Sequence, residues 1–265
     1  RSREHTMKSI NYHIKAIVEV VKQLSKGKFW IYFLPGLVLT LIYFIATYRV
    51  SSIAESVSFI ERIPLIGSYI DKGVEATFSV IGFIFDQLYI FAVITLLSPF
   101  NTYLSEKLDT ELTGQTFKSD FGRIINDFVR MIFIVIIALF MEFILIGTWW
   151  IVAWIFGISD TIYMIISFLM AAFFFGFSFY DHSLERYNIG VFGSIGFSFQ
   201  KIFLVTITGA IFQLIYYFPY TGGTPYIGIF IAPVLTTMIS TVVYLYHLKK
   251  LPKNSSINSI EHENE

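Results

Sequence analysis

The chain has no cysteine. That excludes disulfides, thiolate metal sites and a cysteine nucleophile, and it leaves the compartment open. Charge is scarce as well. Only 14 % of the 265 residues are Asp, Glu, Lys or Arg, against about 25 % in an ordinary soluble domain. The charges cancel formally, so nothing draws the chain as a whole toward nucleic acid. Walker A, G-x-S-x-G and context-correct G-x-G-x-x-G motifs are missing, and so is the H-E-x-x-H spacing of a metal-binding helix. There is no repeat of 20–50 residues and no low-complexity tract. These absences lead us to expect no enzyme, no cofactor and no metal.

What the chain holds in quantity is oil. Apolar residues make up 55 %, with 29 Phe and 16 Tyr. A fold this short cannot hide that much apolar surface from water, so lipid must cover much of it. Six apolar segments of about membrane-spanning length lie at 29–48, 76–97, 131–156, 161–180, 202–220 and 227–246. Alternating barrel-type strands are absent, which leaves helices as the spans. The expected fold is an all-α integral membrane protein with about six hydrophobic helices and amphipathic cytoplasmic helices. Both six full spans and partially penetrating hairpins stay open. Segment 131–156 alone would be about 39 Å long as a helix, longer than one bilayer core.

Three parts follow from composition: residues 1–6 as a tag remnant with Met7 as the start, 7–248 as one helical membrane domain, and 249–265 as a disordered polar tail. Only Arg49, Arg62 and Lys72 of the nineteen Lys and Arg residues fall on one side of the six segments. The positive-inside rule then puts both termini in the cytoplasm. The outer links "GISD" (157–160) and "TGGTPY" (221–226) are short enough for helical hairpins. The longer loop 49–75 mixes apolar and charged residues as an interfacial segment does.

The stretch "SPFNTYLSEKLDTELTGQT" (98–116) follows the second oily run. Ser98 is placed to cap a new helix, with Pro99 at its first position. Phe100, Leu104, Leu108 and Leu112 form one stripe, and Glu106, Lys107, Asp109 and Glu111 cover the other sides. Gly114 is placed to end the helix.

This block resembles the signature of the CysZ sulfate-permease and etoposide-induced-protein family. The matches are Pro99, Phe100, Asn101, Leu104, Glu106, Leu108, Leu112, Thr113 and Gly114. In the same order, "FWIYFLPGLVLTLIYF" with Pro35 is similar to the family's first membrane helix. "FSFYDHSLERYNIGVFGSIGFSFQK" with Tyr180 and Asp181 is similar to its Tyr-Asp segment, and "IFIAPVLTTMIST" with Pro233 and Thr236 to its last helix. The resemblance covers about residues 12–248. It implies a multi-pass protein of the bacterial inner membrane that assembles into homo-oligomers and passes a sulfate-like oxyanion without ATP hydrolysis. The alternative within the same family is a membrane scaffold or shaping protein. The expected partners are membrane lipids, a small inorganic anion and further copies of the chain, with no nucleic acid.

Candidate site residues are few. Lys26, Gly27 and Lys28 form a basic turn that could hold an oxyanion on backbone N–H groups and ammonium charge. The sulfate-permease branch has a glycine followed by paired arginines; here Phe29 and Trp30 stand in the arginine places. The plainer reading of the same turn is a lysine cluster that sets orientation and touches anionic lipid. Asp86 and Glu142 are acids inside oily segments. Each faces water, a partner or the protein interior, as a lining or proton-coupling group or as a carboxyl bonded between helices. The cluster Asp181, His182, Glu185 and Arg186 reads as a helix end with a local ion pair. Gly190, Gly193 and Gly196 read as a face for close helix approach.

Overall fold

The computed structural model describes residues 2–42, 45, 67–116, 121–217 and 226–251; for 2–5, 67–87, 121, 123, 124 and 226 it describes the backbone alone. Among these residues every regular element is helical: α1 (Ser2–Ser25), α2 (Trp30–Ile42, opening as a 3-10 turn over Trp30–Phe33), α3 (Gly67–Thr113), α4 (Phe121–Phe156), α5 (Asp160–Arg186), α6 (Val191–Gln200), α7 (Ile202–Tyr217) and α8 (Tyr226–His247). The stretch read as a tag remnant continues α1 back to Ser2. Most of the loop 49–75, the link 221–226 and the tail beyond Leu251 lie outside the described residues. Lys249–Leu251 belong to the turn that ends α8.

Among the described residues, four helices are long and apolar enough to cross a membrane: Leu88–Thr113, Ile125–Phe156, Asp160–Arg186 and Ile227–His247. A fifth crossing is available if α6 and α7, bent by 96° at Lys201, count as one broken span. The first oily segment is a short helix over its described part, and segment 202–220 begins only after the bend. The protein is therefore an all-α membrane protein, with four to five candidate spans among the described residues.

α4 shows why lipid is required. Its inward face carries Met131, Ile134, Ala138 and Ile146, all buried. Its outward face carries Phe133, Ile136, Phe140, Ile144 and Trp154, all exposed. Both faces are apolar, and in water the outer one would be an unstable patch. Trp150, Trp154 and Phe156 cluster exposed at the α4–α5 end, where interfacial aromatics anchor a span.

Contacts fix the direction of each helix. Phe91 stacks on Phe175 at 4.9 Å and Thr102 meets His182, so α3 and α5 run the same way. Ser105 meets Thr241 and Gln115 meets Lys250, so α8 runs with them. α7 runs against α5, because Gln213 bonds Phe168 while Thr208 bonds Tyr180. These two helices touch backbone to backbone: a Cβ on Gly176 would lie 2.0 Å from the Val205 carbonyl oxygen, and one on Gly209 1.7 Å from that of Ala172. Close approach of this kind is how helices bind one another in lipid, where hydrophobicity gives no drive. The glycines expected to serve this role do not. Added Cβ atoms on Gly190 and Gly196 meet nothing within 4 Å, and one on Gly193 meets only the Ile189 side chain.

The expected helix start at Ser98–Pro99 is also corrected. α3 runs unbroken through Pro99 to Thr113. Ile90, Ile94, Leu97, Asn101, Leu104 and Leu108 form one buried stripe of alternating four- and three-residue steps across the proline. Packing along that stripe outweighs the hydrogen bond that proline removes. Phe100, placed on the stripe by the sequence reading, is 49 % exposed, while Glu106 and Asp109, read as outward, are buried. The end of the helix is as expected: Gly114 takes φ +73° and its N–H bonds the Thr110 carbonyl at 2.9 Å. The "GISD" hairpin is likewise a tight turn, with Gly157 at φ +59° and the Ile158 N–H on Ala153.

Candidate functional site

Two buried ion pairs hold one end of the bundle. In the first, Arg130 of α4 forks onto Asp181 of α5: Nη2 donates to Oδ1 at 2.6 Å and Nε to Oδ2 at 3.0 Å. Ser194 of α6 closes this pair by donating to Asp181 at 2.7 Å and accepting from Arg130 at 3.0 Å. In the second, Arg186 Nε lies 3.3 Å from Asp109 Oδ2, and both side chains are wholly buried. Thr113 and Tyr187 also donate to Asp109, at 2.9 and 2.8 Å. Burial and the adjoining Asp109 push the Tyr187 phenol above its ordinary value, so it stays a donor.

A local ion pair is the sequence expectation within the cluster Asp181, His182, Glu185 and Arg186; Asp181 and Arg186 each pair with a residue of another helix. Five residues apart, they point to different sides of α5. From the second pair, hydroxyls form a directed chain to α8. Arg186 donates to Ser105, and Thr241 donates to the Thr237 carbonyl at 2.7 Å, so the 2.6 Å Ser105–Thr241 bond runs from Ser105. Thr102 bonds His182 Nδ1 at 3.1 Å on the same level.

The parallel helices α3, α5 and α8 continue this polar seam toward the middle of the spans. Ser98 Oγ, Asn101 Nδ2, His182 Nε2, Ser183 Oγ, Thr236 Oγ1 and Thr237 Oγ1 are all buried, and the described residues give these atoms no hydrogen-bond partner. Atoms of this kind are satisfied by ordered water or by a bound polar solute. Glu142 on the inner face of α4 is 0 % exposed, and neither of its oxygens has a partner among the described residues.

A third polar contact ties α1 to the bundle. His13 Nδ1 donates to the Ser9 carbonyl at 2.7 Å and Nε2 lies 2.7 Å from Thr208 Oγ1. The carbonyl can only accept, so in the neutral ring Nε2 accepts from Thr208, and Tyr180 donates to Thr208 at 3.0 Å. Burial pulls the His13 imidazole down to about 4.

The sequence candidates fall in separate places. Gly27 sits in a turn at φ +76°, with its N–H already bonded to the Leu24 carbonyl at 3.0 Å. Lys28 donates to Glu111 at 2.8 Å, and Lys26 is exposed beside it. Asp86 lies on α3 outside the described side chains. Of the residues that carry the resemblance, Asn101 and Asp181 enter the seam, Tyr180 joins the His13 contact, Glu106 is buried on α3, and Pro233 sits within α8. Arg130, Asp109, Ser105 and Thr241 were not singled out by sequence. The signal available was polar residues at helical spacing inside oily runs: Ser98, Asn101, Ser105 and Asp109 on α3, and Thr237 and Thr241 on α8. Among the described residues no group of three His, Asp or Glu is placed to hold a metal ion.

No protein-family model matches the chain, and no curated protein or solved structure matches it significantly.

Proposed function

We propose that the protein is a multi-pass transport protein of the bacterial inner membrane that passes a small, sulfate-like oxyanion without nucleotide hydrolysis. The observation that carries this reading is the seam of buried hydroxyl, amide and imidazole atoms that α3, α5 and α8 leave without partners inside membrane-spanning helices. Polar groups are expensive in that setting, and they mark solute paths. Hydroxyl and amide donors suit anion oxygens, and Arg130 and Arg186 add cationic heads at one end. Asp181 and Asp109 are each bound to an arginine, which blunts their repulsion of an anion. Glu142 stands beside this path as a coupling or gating group. Lys26 and Lys28 make the cytoplasmic rim basic, both termini lie in the cytoplasm, and a homo-oligomer completes the path.

The test is flux of labelled sulfate, thiosulfate and selenate into liposomes carrying the purified protein, against empty liposomes. Uptake that falls at least tenfold in Arg130→Met supports the reading; uptake equal to that of empty liposomes for every ion sinks it. One observation favours a scaffold instead. The outer face of α1 exposes Met7, Ile10, Ile14, Ile17 and Val21 in one row at helical spacing, a surface suited to lying on lipid. Under that reading, Met7→Asp/Ile14→Asp abolishes the clustering of protein-free vesicles by proteoliposomes, and no ion moves.

A further inference from the structure

A second polar feature lies apart from the seam. Where α6 bends by 96° into α7, a cavity of about 560 Å³ opens between that bend, α1 and the end of α8. Lys8 and Tyr12 of α1, Gln200 and Lys201 at the bend, and His247 and Lys249 at the end of α8 line it. No carboxylate is among the described residues that do so. In a chain with no net charge, this is a one-sided gathering of three ammonium groups and an imidazole.

The placement is built. The His247 ring is held against Phe197 at 5.7 Å and Tyr244 at 6.5 Å. Lys249 takes φ +57°, where glycine is the ordinary occupant of a helix-ending turn. The Lys249 N–H bonds Tyr246 at 3.1 Å and the Lys250 N–H bonds Leu245 at 3.0 Å, which locks that turn. The first turn of α7, Ile202–Leu204, lines the same cavity, ahead of the bond from the Val205 N–H to Lys201. Of the lining residues, Ile202 and Phe203 are exposed and apolar. Basic groups inside and apolar residues beside them suit a tetrahedral phosphate oxyanion, whether it is the free ion or the singly charged diester headgroup of a lipid.

We propose that this basin binds a phosphate-type group, supplied either by a free ion or by the headgroup of an anionic lipid. The proposal does not rest on the transport reading, because the basin is lined by none of the seam residues. The test is binding by the full chain, purified in detergent. Inorganic phosphate is titrated by calorimetry in one arm. In the other, retention of phosphatidylglycerol over phosphatidylcholine is read by native mass spectrometry.

Lys201→Gln/Lys249→Gly is expected to weaken binding about 25-fold, roughly fivefold for each lysine near an anionic group. Lys201→Arg/Lys249→Arg keeps it, and Lys22→Gln, an exposed lysine of α1 that lines neither site, leaves it unchanged. The glycine relaxes a strained turn, so this variant is expected to fold, with helicity by circular dichroism as the control. Lysine-dependent binding of phosphate assigns the free ion, and lysine-dependent retention of phosphatidylglycerol alone assigns the lipid. The proposal is overturned if neither probe binds, or if both bind the double variant as well as the parent.

Discussion

Removing Arg186 is the sharpest test of the ion-paired end of the bundle. In Arg186→Met the Asp109 carboxylate keeps the hydroxyls of Tyr187 and Thr113 but loses its cation at 3.3 Å. At an effective dielectric constant of about 20, the lost attraction is on the order of 5 kcal/mol. Breaking a buried pair by deleting one partner costs about 3–5 kcal/mol in practice. With both side chains at 0 % exposure, neither charge can relax into water. Asp109→Asn leaves the opposite charge stranded and is expected to cost a similar amount, less whatever Ser105 recovers. The double variant strands neither charge, so it should cost far less than the two singles together, with a coupling of about 3 kcal/mol or more. The assay is reversible unfolding in mixed dodecylmaltoside and dodecyl sulfate micelles, followed by far-ultraviolet circular dichroism across all four proteins. Single costs that simply add, with coupling below about 0.5 kcal/mol, would refute the direct pair.

Four further outcomes are expected in the same assay. Gly209→Ala drives a methyl toward the Ala172 carbonyl and the Gly176 amide, which are backbone and cannot step aside; it should cost at least about 2 kcal/mol. Gly196→Ala in α6, where nothing lies within 4 Å, should gain about 0.5–1 kcal/mol; equal effects at the two sites would contradict the close α5–α7 contact. His13 binds its proton less readily folded, at about 4, than unfolded, at about 6.5, so the unfolded chain takes up more protons between those values. Its share of stability, about 3 kcal/mol, is complete above pH 6.5 and disappears as pH falls toward 4. His13→Asn should flatten that slope, and an unchanged slope would place the ring in water. Glu142→Leu removes a buried carboxyl that has no partner and should stabilise the fold by about 1–3 kcal/mol. If the seam carries ions, the same variant lowers flux in liposomes, whereas greater stability with unaltered flux leaves Glu142 without a part in transport.

Much of the architecture is visible in the sequence because lipid imposes length. The oily segments at 131–156, 161–180 and 227–246 each lie within one long helix, and the "GISD" link is a hairpin because four residues allow nothing else. Pro99 misleads because a local rule about proline competes with a buried stripe that only the neighbouring helices reveal. The close-contact glycines escape notice for a related reason: Gly176 and Gly209 stand one on each of two helices, so no spacing within a segment advertises them. The site is less visible again. Asp109 looks outward on a wheel drawn from Phe100 and Leu112, and only the approach of Arg186 from α5 turns it inward. Asp181 and Arg186 look like neighbours in one cluster, yet about five residues of helix turn them to different partners.

The polar seam also does something for the fold that hydrophobicity cannot. In water, an amphipathic helix chooses its buried face by oil. On α4 that choice is void, since Phe140 and Ile144 outward are as apolar as Ile134 and Ile146 inward. The helix has two equivalent apolar faces and lipid on one side of it. What distinguishes the inner face is Asp127, Arg130 and Glu142, with Ala138 between them for close approach. Exposing any of the three to hydrocarbon would cost roughly 2.5–3.5 kcal/mol for a charged side chain, so these few residues fix the rotation of the whole helix. It follows that Arg130 and Glu142 should not be equivalent under substitution. Arg130 is bound on three sides by Asp181 and Ser194, so its loss unlocks the rotation. Glu142 is bound by nothing among the described residues, so its loss leaves the rotation set by Arg130 and Asp127. A residue that the fold can spare and that is nonetheless buried at a cost is the one whose retention calls for a functional reason.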